Sequence, residues 1–352
     1  MNMDDSVLSK KQVRSTIFRN KFICPPMGSN FADLGGGMNF EIVNHYKKLI
    51  SSGVGMVIME AVNISEEGMI TSRQIASYSK NFFDMLYEIC LEAKKKETAF
   101  LVQICHGGKF GGKGESPLSP IDINTIDEQE VKRIVKCFVD AAVKVKEAGA
   151  DGVELHMAHG YLIAEFISLA MNKRKDDYGG SLKNRMKVPL KILREVREAV
   201  GNDFIVQVRI SAVEGIKNGM SIDESTKVAK ILEENGADII HVSCGVKGSK
   251  ESSPSADDSG EKFLKCANEI KKVVKIPVIA VGKIHSMEVA DYIIENKIAD
   301  FVAIGRPLLC DYNFVNKIIN NEEVTECLYC NEGCLNRAVK GFKIKCVLNK
   351  ED

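Results

Sequence analysis

Residues 127–156 read DEQEVKRIVKCFVDAAVKVKEAGADGVELH, and this run holds one whole helix-to-strand unit. It opens with an acidic first turn, continues with apolar residues at spacings of three and four, and stops at a glycine, which predicts an amphipathic helix. GVELH (152–156) then predicts a strand. The Gly149-Ala150-Asp151 step between them returns as Gly236-Ala237-Asp238 and, in variant form, as Ile298-Ala299-Asp300. Such recurrence before a strand marks equivalent units. Working outward, the strand candidates are KFICPPM (21–27), GMVIMEA (55–61), AFLVQICH (99–106), GVELH, FIVQVRIS (204–211), DIIHVSC (238–244), IPVIAVG (276–282) and DFVAIG (300–305). Most are apolar throughout, as parallel strands covered on both faces must be, and longer amphipathic segments alternate with them. Eight βα units predict an α/β fold, a closed TIM (β/α)8 barrel. A doubly wound open sheet is the competing architecture, but no G-x-G-x-x-G follows an early strand, so no dinucleotide-binding half is visible.

The 352 residues, 45% hydrophobic and 27% charged, suffice for a large core in one big domain or two smaller ones. The 48 basic and 48 acidic side chains cancel, which leaves no electrostatic footprint for nucleic acid or an anionic membrane. MNMDDSVLSKKQ at the start has no apolar signal-peptide core, and no stretch has the uncharged length of a membrane span. A cytoplasmic protein is expected.

Four of the eleven cysteines, Cys327, Cys330, Cys334 and Cys346, follow the spacing C-x2-C-x3-C-x11-C near the end of the chain. Thiolates two and three residues apart can grip one face of an inorganic cube while a fourth arrives from a later turn. The spacing reads as a [4Fe-4S] site ahead of structural zinc, because zinc modules usually present two C-x2-C pairs or add histidines. The chain then divides into a barrel, 1–320, and a cluster-binding C-terminal segment, 321–352. Cys24, Cys90, Cys105, Cys137, Cys244, Cys266 and Cys310 are scattered singly and read as reduced core or helix residues, not a disulfide framework. An oxygen-labile cluster suits a reducing, anaerobic cytosol.

In a TIM barrel, function belongs at the C-terminal ends of the strands. ELHMAHGYLIAEF (154–166) sets His156 and His159 at the end of the fourth strand, with Tyr161 close behind. Two imidazoles three residues apart can donate to one carbonyl oxygen, and Tyr161 can deliver a proton nearby. Either histidine alone would read as a packed or capping residue; the trio at a strand end reads as functional. A divalent metal is another use of paired histidines, yet no adjacent carboxylate completes a ligand set. At the last two strands, Gly282 and Gly305-Arg306 have the character of a phosphate cradle, backbone N–H groups beside a bidentate cation. Gln103 and Arg209 stand on otherwise apolar strands, where burial costs several kcal/mol unless partners meet them. Arg209 could pair with Glu60 at the end of the second strand, or both could meet a heterocycle rich in acceptors such as an isoalloxazine. Lys94, Lys95 and Lys96 close a helix, where cations suit the dipole. KGSKESSPSADDS (247–259) is a polar loop that either borders the substrate or is a free tip. His106, in the glycine-rich CHGGKFGG, carries no readable chemistry.

At these residues the chain resembles the old yellow enzyme family, the NADH:flavin oxidoreductases that bind FMN at the mouth of a TIM barrel. The likeness runs from RNKFICPPMG to KCVLNK and is most specific in HMAHGYLIAEFISLAMNKRKDDYGGSLKNR (156–185). Within that family, the terminal cysteine spacing is similar to the [4Fe-4S] segment of the 2,4-dienoyl-CoA reductase and trimethylamine dehydrogenase branch. The resemblance implies that His156 and His159 hold the substrate's electron-withdrawing oxygen and that Tyr161 protonates the substrate carbon. It implies that Gln103 and Arg209 contact the flavin ring, that Pro26, Met27 and Ala61 line it, and that Gly282, Gly305 and Arg306 hold the FMN phosphate. The implied activity is that of an ene-reductase, with hydride transfer from FMN N5 to an activated C=C bond of an enone, enoate or enoyl thioester.

The chain departs from the larger cluster-bearing relatives in ending where they continue into a region that binds FAD and NAD(P)H. Electrons are then expected from an external donor facing the cluster, whether NAD(P)H, ferredoxin or a separate flavoprotein reductase, and self-association into a homo-oligomer is compatible with this reading. Gly28 stands where many relatives place a Cys or Thr that tunes the flavin. An amine dehydrogenase would need a cysteine linked to the flavin, and Cys24 lies upstream of that place. A flavin and iron-sulfur electron-transfer subunit would have no need of the His156, His159 and Tyr161 trio. A dihydroorotate dehydrogenase-like barrel would place a Cys or Ser base on a loop.

Overall fold

The structure, a computed structural model, describes residues 6–114, 118–247, 249 and 257–349. An antiparallel hairpin comes first, β1 (Lys11–Val13) and β2 (Thr16–Phe18). The eight expected strands follow: β3 (Phe22–Cys24), β4 (Met56–Asn63), β5 (Ala99–Cys105), β6 (Gly152–Met157), β7 (Ile205–Ser211), β8 (Ile239–Ser243), β9 (Val278–Ala280) and β10 (Phe301–Ala303). Each pairs in parallel with the next in sequence, and β10 returns to pair with β3, which closes the barrel. The amphipathic segments form the outer helices. The run that opens the sequence analysis gives the helix Glu128–Glu147, capped by the Asp127 carboxylate on the Glu130 N–H.

The recurring Gly-Ala-Asp step has a physical task in these units. Gly149 and Gly236 take φ of 90° and 100°, values that let the chain leave a helix and turn into a strand without a Cβ penalty. The aspartate then reaches back to the preceding strand. Asp151 accepts the Phe100 N–H at 2.8 Å, Asp238 the Val206 N–H at 2.8 Å and Asp300 the Val278 N–H at 2.9 Å. Two of these carboxylates also hold the hairpin: Lys11 pairs with Asp300 at 2.8 Å and Arg14 with Asp238 at 2.6 Å.

So anchored, the hairpin seals the bottom of the barrel. Val13 and Phe18 join Ile23, Met56, Ile58, Leu101, Ile205, Ile239, Ile279 and Phe301 in a separate apolar core inside the strands. Phe18 meets Phe301 edge-on with ring centroids 5.1 Å apart. The sequence reading did not contain this floor. At the other end, the stretch after residue 320 packs against the barrel mouth: Asn30 donates to the carbonyls of Ala338 and Phe342, Ile344 N–H donates to Ser29, and the Ile344 side chain joins the main core. Among the described residues, no helix is long and apolar enough to cross a membrane.

Phe18 is fully buried, so Phe18→Ala is expected to cost about 3–5 kcal/mol of unfolding free energy, the usual loss for deleting a buried aromatic ring. Denaturant unfolding measures it, and a loss below about 1 kcal/mol would show that the floor is dispensable.

Candidate active site

Side chains alternate along a strand, so an inward-facing residue is followed two positions later by another. Above the apolar floor this period carries polar groups into the barrel: Gln103 on β5, Glu154 and His156 on β6, Gln207 and Arg209 on β7, His241 and Ser243 on β8. Glu154 sits at the centre. It accepts from Gln103 Nε2 at 2.6 Å, from His241 Nδ1 at 2.7 Å and from Gln207 Nε2. Burial alone would raise its carboxyl, but His241, the nearby Arg209 charge and the Gln207 hydrogen bond outweigh it and hold the group below its ordinary value.

Of the two uses the sequence leaves open for Arg209, this network does not provide the ion pair with Glu60. Glu154 is the carboxylate that faces Arg209. Glu60 accepts instead from Ser29 N–H at 2.9 Å, Ser29 Oγ at 2.5 Å and the Tyr46 hydroxyl at 3.3 Å. Glu60 lines the cavity wall, and burial lifts its carboxyl to about 7.

At the strand ends the two histidines and Tyr161 come together. His156 Nε2 lies 3.3 Å from His159 Nδ1, and the Tyr161 ring centroid is 5.0 Å from that of His156 and 6.5 Å from that of His159. His159 has φ of 60°, a left-handed conformation, and its N–H donates to Ser211 Oγ at 2.9 Å. Burial, with the neighbouring Arg209 and His241, pushes both imidazoles well below the usual histidine range, so both are neutral at physiological pH. Burial pushes the Tyr161 phenol up, which keeps its proton in place.

The trio opens on a cavity of about 540 Å³ at the barrel mouth. Pro26, Met27, Ala61, Gln103, Arg209, Gly282, Gly305 and Arg306 line the same space, so the expected barrel residues meet in one site. A Cβ built on Gly28 meets nothing within 4 Å, so a side chain there would enter open space. Gly282 has φ of 129°, and a Cβ there would come within 2.8 Å of the Gly260 carbonyl, so glycine is required. Arg306 and Lys283 both face the Tyr329 ring, 4.6 Å and 4.9 Å from its centroid. Arg306 also donates to Asn331 at 2.8 Å. Lys247 borders the cavity and stacks 4.9 Å from the Phe110 ring centroid; most of the polar loop after it lies outside the described residues. His106 is buried behind the site, against Glu67 at 3.3 Å and the Gly108 N–H at 3.0 Å.

Of the terminal cysteines, Cys334 reaches the cavity wall, and Cys327, Cys330 and Cys346 do not. Gly333 lets the residue before Cys346 lie against the residue before Cys334: Lys345 N–H donates to the Gly333 carbonyl at 2.7 Å, and a Cβ on Gly333 would stand 1.9 Å from the Lys345 oxygen. Burial raises the Cys327 and Cys334 thiols, Cys346 adds to this, and Arg306 opposes it. Cys310, buried beside them, is pushed up to about 12 by burial and by Cys346. Among the described residues, no three His, Cys, Asp or Glu side chains converge as ligands of a single ion.

Glu60 gives a pH test of this environment. Its raised value means that the fold favours the neutral carboxyl; the resulting stability is complete below about 4.5 and is lost as pH rises through about 7. Relative to Glu60→Gln, which cannot titrate there, the native protein is expected to lose about 3 kcal/mol across that window, at ~1.4 kcal/mol per pH unit. Parallel stability profiles for the two proteins would contradict the assignment.

A profile of the NADH:flavin oxidoreductase / NADH oxidase family matches residues 11–324. The chain is 35% identical over 363 residues to the NADH oxidase of Thermoanaerobacter brockii, an alignment that covers 98% of this chain and 56% of that protein. It is 29% identical over 371 residues to the cinnamate reductase of Clostridium sporogenes, covering 94% of this chain and 55% of that protein. The chain thus spans about half the length of these curated relatives. A 2-naphthoyl-CoA reductase solved with 2-naphthoyl-CoA has the same fold, with a TM-score of 0.91 at 22% identity over 98% of this chain and 57% of that chain. An eight-stranded barrel whose polar strand ends meet in one cavity, matched along nearly its whole length by the family profile, makes this chain a member of the NADH:flavin oxidoreductase / NADH oxidase family.

Proposed function

We propose that the chain is an FMN-dependent ene-reductase acting on an activated C=C bond of an enone, enoate or enoyl thioester. The observation that carries this reading is the neutral trio His156, His159 and Tyr161 at the rim of a cavity floored by Arg209 and Gln103. The relative named cinnamate reductase supports the same class of activity.

The cavity suits a flavin on its own chemistry. Among the described residues, Arg209 Nε is buried without a hydrogen-bond partner, as is expected of a donor that waits for a ligand acceptor. Gln103 lines the same cavity, and Pro26, Met27 and Ala61 offer an apolar bed for a flat ring. Gly282, Gly305 and Arg306 would receive the phosphate. When bound, FMN supplies the hydride for the β carbon of the substrate, and NAD(P)H is the reductant to which the family's description points.

The remaining steps belong to side chains. His156 and His159 would orient the substrate by its carbonyl oxygen and stabilise the charge that gathers there, an effect worth on the order of 2–4 kcal/mol per donor. Tyr161, held neutral by burial, would hand its proton to the adjacent carbon. Tyr161→Phe is expected to slow enoate reduction by about 10²-fold or more in single-turnover assays, the contribution of a placed general acid. An unchanged rate would remove Tyr161 from this role and favour an electron-relay subunit.

We further assign a [4Fe-4S] cluster to Cys327, Cys330, Cys334 and Cys346, within the 321–352 segment. The Gly333–Lys345 contact that returns Cys346 toward Cys334 supports it, as does the all-thiol donor set. Anaerobically purified protein is expected to hold about four iron and about four sulfide per chain, and Gly333→Ala should lower both. One zinc and no sulfide would overturn the assignment.

A further inference from the structure

The histidine pair can present two donors to one oxygen only if both rings carry their protons on the right nitrogens. The surroundings fix one ring and not the other. Ala158 N–H donates to His156 Nδ1 at 3.2 Å, so neutral His156 is protonated on Nε2. That nitrogen faces His159 Nδ1 at 3.3 Å, and His159 Nε2 lies 2.8 Å from Ser243 Oγ. The rest of His159 is held in place: its N–H donates to Ser211 Oγ, which donates to the Gly245 carbonyl at 2.7 Å, and its own carbonyl accepts from Lys247 N–H at 3.0 Å.

Ser243 is buried at the end of β8, and His159 is the partner of its hydroxyl. A hydroxyl can accept or donate by turning, so Ser243 is compatible with either tautomer of His159. In the first, His156 Nε2–H donates to His159 Nδ1, and His159 Nε2–H donates to Ser243; the cavity is offered no imidazole proton. In the second, His159 is protonated on Nδ1 and accepts from Ser243 at Nε2. The two imidazole N–H groups then oppose each other across 3.3 Å, and a substrate oxygen that accepts from both relieves the repulsion.

We propose that Ser243 is a positioning residue that selects the tautomer of His159, accepting from the ring when the cavity is empty and donating to it when a substrate oxygen binds. This rests on the ene-reductase reading above. The exchange balances: one proton leaves Nε2 for water in the open cavity, another is taken up at Nδ1, and the ring ends neutral as it began. In the empty cavity the two histidines and Ser243 thus form one chain of hydrogen bonds, which an arriving oxygen opens.

The test uses the full FMN-loaded chain labelled with 15N-histidine and titrated with 4-cyanophenol above its pKa, as a flat oxyanion. Nitrogen shifts distinguish the two tautomers, and six histidines keep the spectrum assignable. Phenolate is expected to move the His159 proton from Nε2 to Nδ1. Ser243→Ala should bind it about tenfold more weakly, the size of one hydrogen bond, and Ser243→Thr, which keeps the hydroxyl, should restore binding to within about threefold. An unchanged His159 tautomer on binding, or undiminished binding by Ser243→Ala, overturns the proposal. Phenolate that binds the native protein without perturbing either histidine overturns the ene-reductase reading on which it rests.

Discussion

An ionised carboxylate inside a barrel is tolerable only where donors and an opposite charge meet it, and Glu154 meets both conditions. Gln103, Gln207 and His241 surround its oxygens, and Arg209 supplies the charge. Remove that carboxylate and a buried guanidinium, an amide pair and an imidazole all lose their reason to point inward. Its place on β6 also matters. Two residues further along the same face comes His156, so one strand both anchors the polar layer and presents a donor to the cavity. Arg209 stands in register with His156 on the neighbouring strand, and His241 in register with Arg209. The polar layer is therefore built on ladder hydrogen bonds, while His159 and Tyr161 follow the end of β6.

The interior has two storeys with different physics. The lower one is apolar and is held by packing, with Phe18 and Phe301 at its base. The upper one is polar and is held by directional bonds that fix donor orientation as packing alone cannot. Three aspartates at the strand starts tie the lower storey together, and two of them also hold the hairpin beneath it.

The barrel was legible because its strands are short, nearly continuous apolar runs and its helices carry clear periodicity and glycine stops. The hairpin was not, since KQV and TIF are three-residue strands whose pattern is no different from a loop, and whose purpose depends on aspartates more than two hundred residues away. Among site residues, Gln103 and Arg209 stood out as polar breaks in apolar strands. Glu154, Gln207, His241 and Ser243 gave the same signal and were missed. Counting in steps of two from His156 and Arg209 reaches Glu154 and Gln207 at once, and the same step links His241 to Ser243. Glu60, the alternative partner for Arg209, stands at a strand end next to a register shift between Met59 and Val62 and is held by Ser29 and Tyr46. The tautomer problem at His159 has no sequence signal, because it lies in the distance between a loop side chain and one on β8.

The sealed floor makes this barrel a cup, not a tube. On the ene-reductase reading proposed above, small molecules that give up electrons and small molecules that receive them would use the same doorway and take turns in it. The wall of that doorway is formed in part by the stretch that carries the terminal cysteines. A molecule needs an opening to pass, but an electron can cross a wall, and the two kinds of traffic need not obstruct one another.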